Sequence, residues 1–319
     1  MTNRDWRPLS GPGIARSRAG MLGRARTFFA TRDVLEVDTP ILSRFAVTDP
    51  NIESLSAALD QEPDLYLQTS PEYKMKRLLA AGFGDIFQIC KVFRDGELGR
   101  NHLPEFTMIE WYRLNFGLQE IMRETIGFVA ALLDRADLPA TAEIISYQEA
   151  FQNALALDPL TADIAKLARC ANADEPLRAA VGNDRDAWLD LVLADRVAPR
   201  FASGKLTAIC HYPASQAALA RLCPDDAAVA DRFEVYYGNL ELANGFVELT
   251  DADVQMRRFE DDRMVRRRNG KADHRIDDEF IGALRAGLPA CAGVAVGFDR
   301  VLMLHEGKSN LGAVSNFTI

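Results

Sequence analysis

Residues 92–112 read Val-Phe-Arg-Asp-Gly-Glu-Leu-Gly-Arg-Asn-His-Leu-Pro-Glu-Phe-Thr-Met-Ile-Glu-Trp-Tyr, a run whose polar residues are spaced for chemistry. An apolar strand ends at Phe93-Arg94, a polar loop follows, and a second strand resumes near Phe106. Alternation with a period of two puts Phe106, Glu110 and Tyr112 on one face of that strand. A stackable ring, a carboxylate and a phenol beside an arginine are too polar for a core. They are the parts needed to hold a nucleotide and an amine. Arg94 offers a planar, permanently charged fork suited to a phosphate and a carboxylate. His102 lies in the loop, where it could donate to the outer phosphates, and Phe106 can stack on an adenine ring.

A second group spans residues 232–251. Gly238-Asn239 is a two-residue hairpin signal, which pairs Tyr236 with Glu241 and sets Glu234 diagonally across from Glu241. Diagonal neighbours sit roughly 7–8 Å apart, close enough for two carboxylates to share Mg²⁺ bound to a triphosphate. Buried together without a cation, they would repel. Asn244 and Glu248 follow, and strict alternation turns them to the other face unless Gly245 supplies a bulge or bend. The third group is Gly293-Val-Ala-Val-Gly-Phe-Asp-Arg300, a strand of small residues against which a ligand can lie. It delivers Arg300 to the start of a helix, and both favour phosphate.

The elements that must carry these groups are legible in outline. Apolar residues at near-helical spacing predict a helix over 14–32, after a loop-like leader. A short strand over 34–37 stops at Asp38-Thr39-Pro40, and another covers 65–69. Ser70-Pro71-Glu72 then starts a helix that continues through Met75, Leu78 and Leu79 to Gly82. A helix is expected over 118–137. Residues 140–205, rich in Ala, Leu and Asp, predict a small helical insertion, after which strands return from Thr207. The whole reads as one α+β domain.

Composition narrows the function. Hydrophobic residues make up 48% of the 319, enough for a sizeable core. The net charge of −9 disfavours broad binding to tRNA or DNA. Five cysteines without paired metal spacing predict reduced thiols, and no apolar run is long enough for a membrane span or a signal peptide. A cytoplasmic protein is expected. The basic run at 263–271 predicts a solvated helix face, with a dock for an acidic partner as the alternative.

These groups, in this order, resemble motifs 2 and 3 and the hairpin between them of the class II aminoacyl-tRNA synthetases, with Glu36-Val-Asp-Thr-Pro40 resembling motif 1. Thr69-Ser-Pro-Glu-Tyr-Lys-Met-Lys-Arg77, Pro104-Glu-Phe-Thr-Met-Ile-Glu-Trp-Tyr112 and Glu241-Leu-Ala-Asn-Gly-Phe-Val-Glu-Leu-Thr-Asp251 look like the lysyl branch. The chain starts almost at motif 1, without room for an anticodon-binding barrel. With His211-Tyr-Pro-Ala-Ser-Gln216, that makes it similar to the stand-alone lysyl-tRNA synthetase paralogues that modify a lysine of a translation factor.

The resemblance implies the class II catalytic core, an antiparallel sheet flanked by helices. It implies ATP and Mg²⁺, lysine or (R)-β-lysine as substrate, elongation factor P as acceptor, no stable tRNA binding, and a homodimer. Substrate contacts are implied for Ser70, Pro71, Glu72, Tyr112, Asn244, Glu248 and Ala295. ATP contacts are implied for Arg94, Asp95, Gly96, His102, Leu103, Phe106, Glu241, Leu242, Gly297 and Arg300. Arg94 and Arg300 are the implied catalytic pair, and Glu234 and Glu241 the metal ligands. Ala295 stands where lysyl-tRNA synthetases typically carry glycine, and its methyl would shift the substrate amine toward a β position. Two departures fall in the motif 2 loop. Gly96 replaces the usual glutamate, with Glu97 next to it, and Leu103 replaces an asparagine. Two alternatives stay open: a lysyl-tRNA synthetase-like enzyme that acylates tRNA or a small amine, and a silent paralogue that senses an amino acid.

Overall fold

A computed structural model describes residues 6–60 and 62–318. The first five residues of the expected leader lie outside them. Helix α1 (Pro12–Ala30) carries Pro12 in its first turn, where the missing N–H has no partner to lose. Two short strands follow, β1 (Leu35–Glu36) and β2 (Leu42–Ser43), then β3 (Ser56–Leu59), β4 (Glu62–Leu67) and α2 (Glu72–Ala80). The expected hairpin is β5 (Ile86–Phe93) and β6 (Glu105–Leu114), in register from Ile86 opposite Tyr112 to Phe93 opposite Glu105. Helix α3 (Leu118–Leu133) ends at left-handed Asp134, four residues before α4 (Leu138–Thr141). The single helix expected over 118–137 stops short for that reason.

The segment expected to be helical opens instead with a strand, β7 (Glu143–Ser146), before α5 (Tyr147–Leu155), α6 (Ile164–Cys170), α7 (Glu175–Val181) and α8 (Arg185–Val192). Four residues are too few for a periodicity to show, and β7 exists because it pairs in parallel with β8 (Leu206–Pro213). Strands β9 (Val229–Tyr237) and β10 (Leu240–Val247) form the second hairpin. Helices α9 (Ala252–Arg268) and α10 (Asp278–Gly287), strand β11 (Cys291–Gly297) and helix α11 (Phe298–His305) complete the chain.

Eight strands make one sheet in the order β1-β5-β6-β11-β10-β9-β8-β7. Its six central strands are antiparallel, and parallel pairing is confined to the two edges. A small sheet of β2, β4 and β3 stands apart. One face of the large sheet buries the apolar half of each strand, such as Ile109, Trp111, Phe233 and Val235, under α1, α3 and α11. There Phe29 stacks on Phe87 at 4.3 Å and tilts against Trp111 and Phe128. Burying each such ring contributes about 1.5–3 kcal/mol.

The opposite face is covered only at its ends. Helices α2, α9 and α10 pack Met75, Leu79, Phe259 and Phe280 over one end. Helices α5 and α8 pack Phe151, Trp188 and Leu189 on Ile209, Tyr212 and Tyr236 at the other. Between them lies a groove of about 1330 Å³.

The basic run at 263–271 is largely exposed, as expected of a solvated face, with Arg266 the exception. Arg266 is fully buried and forks onto both oxygens of Glu53 at 2.7 and 2.9 Å, while also donating to the carbonyls of Asp49 and Ala272. Arg263 and Arg267 both pair with Asp273, and Lys271 donates to the Pro50 carbonyl. Arg266 and Lys271 thus fasten the 49–53 loop to α9 and the turn after it, while Arg267, Arg268 and Lys271 remain exposed. Among the described residues, no helix is long and apolar enough to cross a membrane.

Candidate active site

The groove has two chemically distinct ends. At the first, the N-terminus of α2 meets β6, β10 and β11. Glu72, Met75, Lys76 and Leu79 lie on the inward stripe of α2, so Lys76 is driven into the protein at a position that apolar residues share. Its ammonium lies 2.7 Å from Glu72 Oε1 and 2.6 Å from Glu248 Oε2. Glu110 accepts from Ser70 Oγ and from Tyr112 Oη, both at 2.7 Å. Those bonds and the alternation of β6 bring Ser70, Glu110 and Tyr112 together as expected.

Glu72 and Glu248 thus share one fixed cation, and Glu110 lies close enough to feel its charge. Burial, with Glu72 adding to it, pushes Glu110 up to about 7. Burial likewise pushes Glu248 up to about 8, against the pull of Lys76. The two carboxylates flanking Lys76 hold it firmly protonated despite its burial. The cluster therefore has room for a second ammonium.

The floor beneath is β11. Ala295 sits opposite both Glu110 and Asn244, so its methyl faces the groove between the two ends. Gly293 works differently from the expectation that small residues free space for a ligand. A Cβ there would come within 2.3 Å of the Tyr112 ring and 2.6 Å of Glu248 Oε1, so the absent side chain makes room for the protein's own groups. Gly245 is also in regular register, and a Cβ there would meet the Phe233 ring at 2.5 Å. The bulge lies earlier, between Glu241 and Ala243. It skips Leu242, so Asn244 pairs with Glu234 and joins the face that already holds Glu241 and Tyr236. Glu248 then follows Asn244 by ordinary alternation. The expected bulge exists, but at Leu242 rather than Gly245.

At the second end, Arg94 leaves β5 with its guanidinium 5.3 Å from the Phe106 ring centroid and 3.4 Å from Glu97 Oε1. Arg300, at the start of α11, donates to the Asn101 carbonyl, the Glu241 carbonyl and His102 Nε2, and lies 3.3 Å from Glu241 Oε2. A guanidinium only donates, so His102 Nε2 accepts and the neutral ring keeps Nδ1–H free to donate. Burial and the adjacent Arg300 lower the His102 pKa, in keeping with that neutral form.

Glu234 accepts from Arg232 Nη2 and Tyr236 Oη, both at 2.6 Å. Loss of solvation and the nearby Glu234 push Glu241 up, against Arg300. A carboxylate raised by its neighbour is a donor set that a divalent cation suits. Each Glu234 oxygen retains a second lone pair, so both residues fit a metal.

The expected ATP contacts divide on the same geometry. Arg94, His102, Leu103, Phe106, Glu241, Leu242, Gly297 and Arg300 line the groove. Asp95 and Gly96 do not: Asp95 turns back to accept from the Gly96 amide, and Gly96 takes a left-handed φ of 76°. Glu97 faces the groove in their place. Pro71 is buried as the cap of α2 and does not reach the groove either, whereas Ser70 and Glu72 do. Lys76 was missed, because a helical lysine reads as a surface charge until its pairing with Glu72 and Glu248 is seen. So was Arg232, which holds Glu234, Asn244 and the Gln216 carbonyl together.

The fold and this groove define a class. The sequence matches the family described as tRNA synthetases class II (D, K and N) over residues 10–319, and the chain belongs to that family. Within it, the chain is similar to relatives named elongation factor P–(R)-β-lysine ligase. It is 45% identical to the one from Avibacterium paragallinarum, covering 100% of this chain and 99% of the relative. Identity is also 45% to the one from Histophilus somni, covering 99% and 98%, and to the one from Salmonella gallinarum, covering 98% and 97%.

Proposed function

We propose that this chain activates (R)-β-lysine, or lysine, with ATP and joins it to a lysine side chain of elongation factor P. One observation carries the reading: three carboxyl groups cluster about one buried lysine, two of them paired with it, at one end of a groove whose other end presents two arginines. The relatives' name supports the same acceptor and the same β-amino acid.

In the first step a carboxylate oxygen of the amino acid attacks the α-phosphorus of ATP, and the bond to the bridging oxygen of pyrophosphate breaks. Arg94 and Arg300 offset the charge that builds on the phosphoryl oxygens. Glu72, Glu110 and Glu248 hold the ammonium groups, with Tyr112 fixing Glu110. Glu234 and Glu241 would hold Mg²⁺, which when bound neutralises the triphosphate. In the second step a neutral lysine ε-amine of the acceptor attacks the acyl carbon. AMP leaves, an amide forms, and the amine's surplus proton passes to water. Positioning supplies most of the rate, without a covalent enzyme intermediate.

The same reading makes the protein a cytoplasmic homodimer with residues 140–205 inserted in one catalytic domain. Incubation with ATP, (R)-β-lysine and elongation factor P is expected to add one lysyl mass to the factor. An unchanged factor alongside acylated tRNA would overturn the assignment.

A further inference from the structure

Away from the groove, on the far side of β9, three side chains from separate stretches of chain converge. Strand β8 is interrupted by a bulge between Cys210 and Tyr212, and the residue it expels is His211. Its φ of 58° is left-handed, a conformation unfavourable for a side chain with a Cβ. The bulge turns the imidazole toward Asp231 on β9 and toward Cys223, whose amide donates to the Val229 carbonyl across the neighbouring bridge. Ligand atoms of His211, Cys223 and Asp231 all lie within 4.8 Å of one another.

Two further facts point to a missing partner. His211 Nδ1 is buried without a hydrogen bond, and its nearest acceptor, Asp231 Oδ1, is 3.8 Å away. Asp231 is itself buried, and Arg221 Nε engages its other oxygen, Oδ2, at 2.8 Å, leaving Oδ1 turned to the imidazole.

We propose that His211 Nδ1, Cys223 Sγ and Asp231 Oδ1 bind one zinc ion, with water as the fourth ligand. Nitrogen, sulfur and oxygen donors together suit a borderline cation such as Zn²⁺. Mg²⁺ and Ca²⁺ prefer all-oxygen sets. Arg221 is then the outer group that orients a ligating carboxylate. The ion clips the β8 bulge and the Cys223 segment to the start of β9. The residues that follow there, Arg232 and Glu234, reach the groove from the opposite face, so the clip steadies a wall of the active site without taking part in its chemistry. Binding displaces the thiol proton to solvent, so affinity rises with pH.

Tag-free, chelator-treated protein titrated with Co²⁺ is expected to bind one equivalent with a thiolate-to-metal charge-transfer band, and excess Zn²⁺ should displace it. Cys223→Ser should lose the band, while Cys170→Ser should keep it. His211→Gly removes a ligand and also relieves the left-handed strain. Its metal-free melting temperature should therefore not fall, while its metal affinity drops more than about 100-fold. Absence of the band in the wild type, or its persistence in Cys223→Ser, would overturn the proposal.

Discussion

The two ends of the groove are built on opposite plans. The carboxylate end is buried and wired in advance: Ser70, Tyr112 and Lys76 satisfy Glu110, Glu72 and Glu248 at 2.6–2.7 Å, and Gly293 leaves space for that packing. The arginine end is partly open. Arg94 and Arg300 stand at element termini, with ion-pair partners at 3.4 and 3.3 Å that a phosphate can replace. A small ammonium is read by a rigid, dehydrated network. A large, multiply charged phosphate group is read by side chains still free to adjust. Substitutions should therefore damage stability at one end and rate at the other.

The largest effect is expected from Lys76→Met, which keeps the stem and removes the cation that Glu72 and buried Glu248 share beside buried Glu110. Losing one partner of such a cluster costs about 3–5 kcal/mol. The sign of its pH dependence follows from Glu110 and Glu248, whose folded pKa values of about 7 and 8 exceed their unfolded ones. Their stabilising contribution is complete below the unfolded range and is lost as pH rises through 7 to 8. Urea unfolding should therefore show a greater loss at pH 8 than at pH 6; an equal loss would mean that the carboxyls are not coupled to Lys76.

Arg94→Ala is expected to slow adenylate formation by about 10²–10³-fold. Its partly exposed ion pair contributes only about 0–1 kcal/mol, so unfolding should barely move. A large fall in stability would erase the contrast between the ends. Gly293→Ala should destabilise by about 1–3 kcal/mol and raise KM for the amino acid but not for ATP. Equal changes in both constants would show that the strand serves the whole groove. The mildest effect is a pH profile. Between pH 8 and pH 6, as Glu248 and Glu110 take up protons, KM for the amino acid should rise by up to about tenfold. The value for ATP should change less, and a parallel rise would contradict the division.

What is legible in the chain follows from periodicity. Strands β6 and β9 carry their functional residues at every second position, so alternation alone places Glu110, Tyr112 and Glu234 on the groove face. The Gly238-Asn239 turn correctly sets Tyr236 opposite Glu241. Periodicity fails where backbone irregularity decides. The bulge at Leu242 has no glycine to mark it, and the loop after Arg94 turns Asp95 and Gly96 away while bringing Glu97 in. Lys76 stays hidden for another reason: its charge suggests a surface, and only the pairing with Glu72 and Glu248 permits its burial. The meeting of His211, Cys223 and Asp231 has no signature in spacing at all.

The central claim is that the carboxylate end reads a second ammonium on the substrate. ATP–pyrophosphate exchange with (R)-β-lysine, α-lysine and norleucine tests it most directly, because norleucine keeps the aliphatic chain and lacks the terminal amine. A site built to bond a polar group rejects the analogue without it by about 10⁴–10⁵. Exchange with (R)-β-lysine, and exchange weaker with norleucine by at least about 10⁴, is the expected result. Norleucine supporting exchange within about tenfold of the best lysine isomer would contradict the account, because the carboxyl cluster would then contribute about 1.4 kcal/mol or less to recognition.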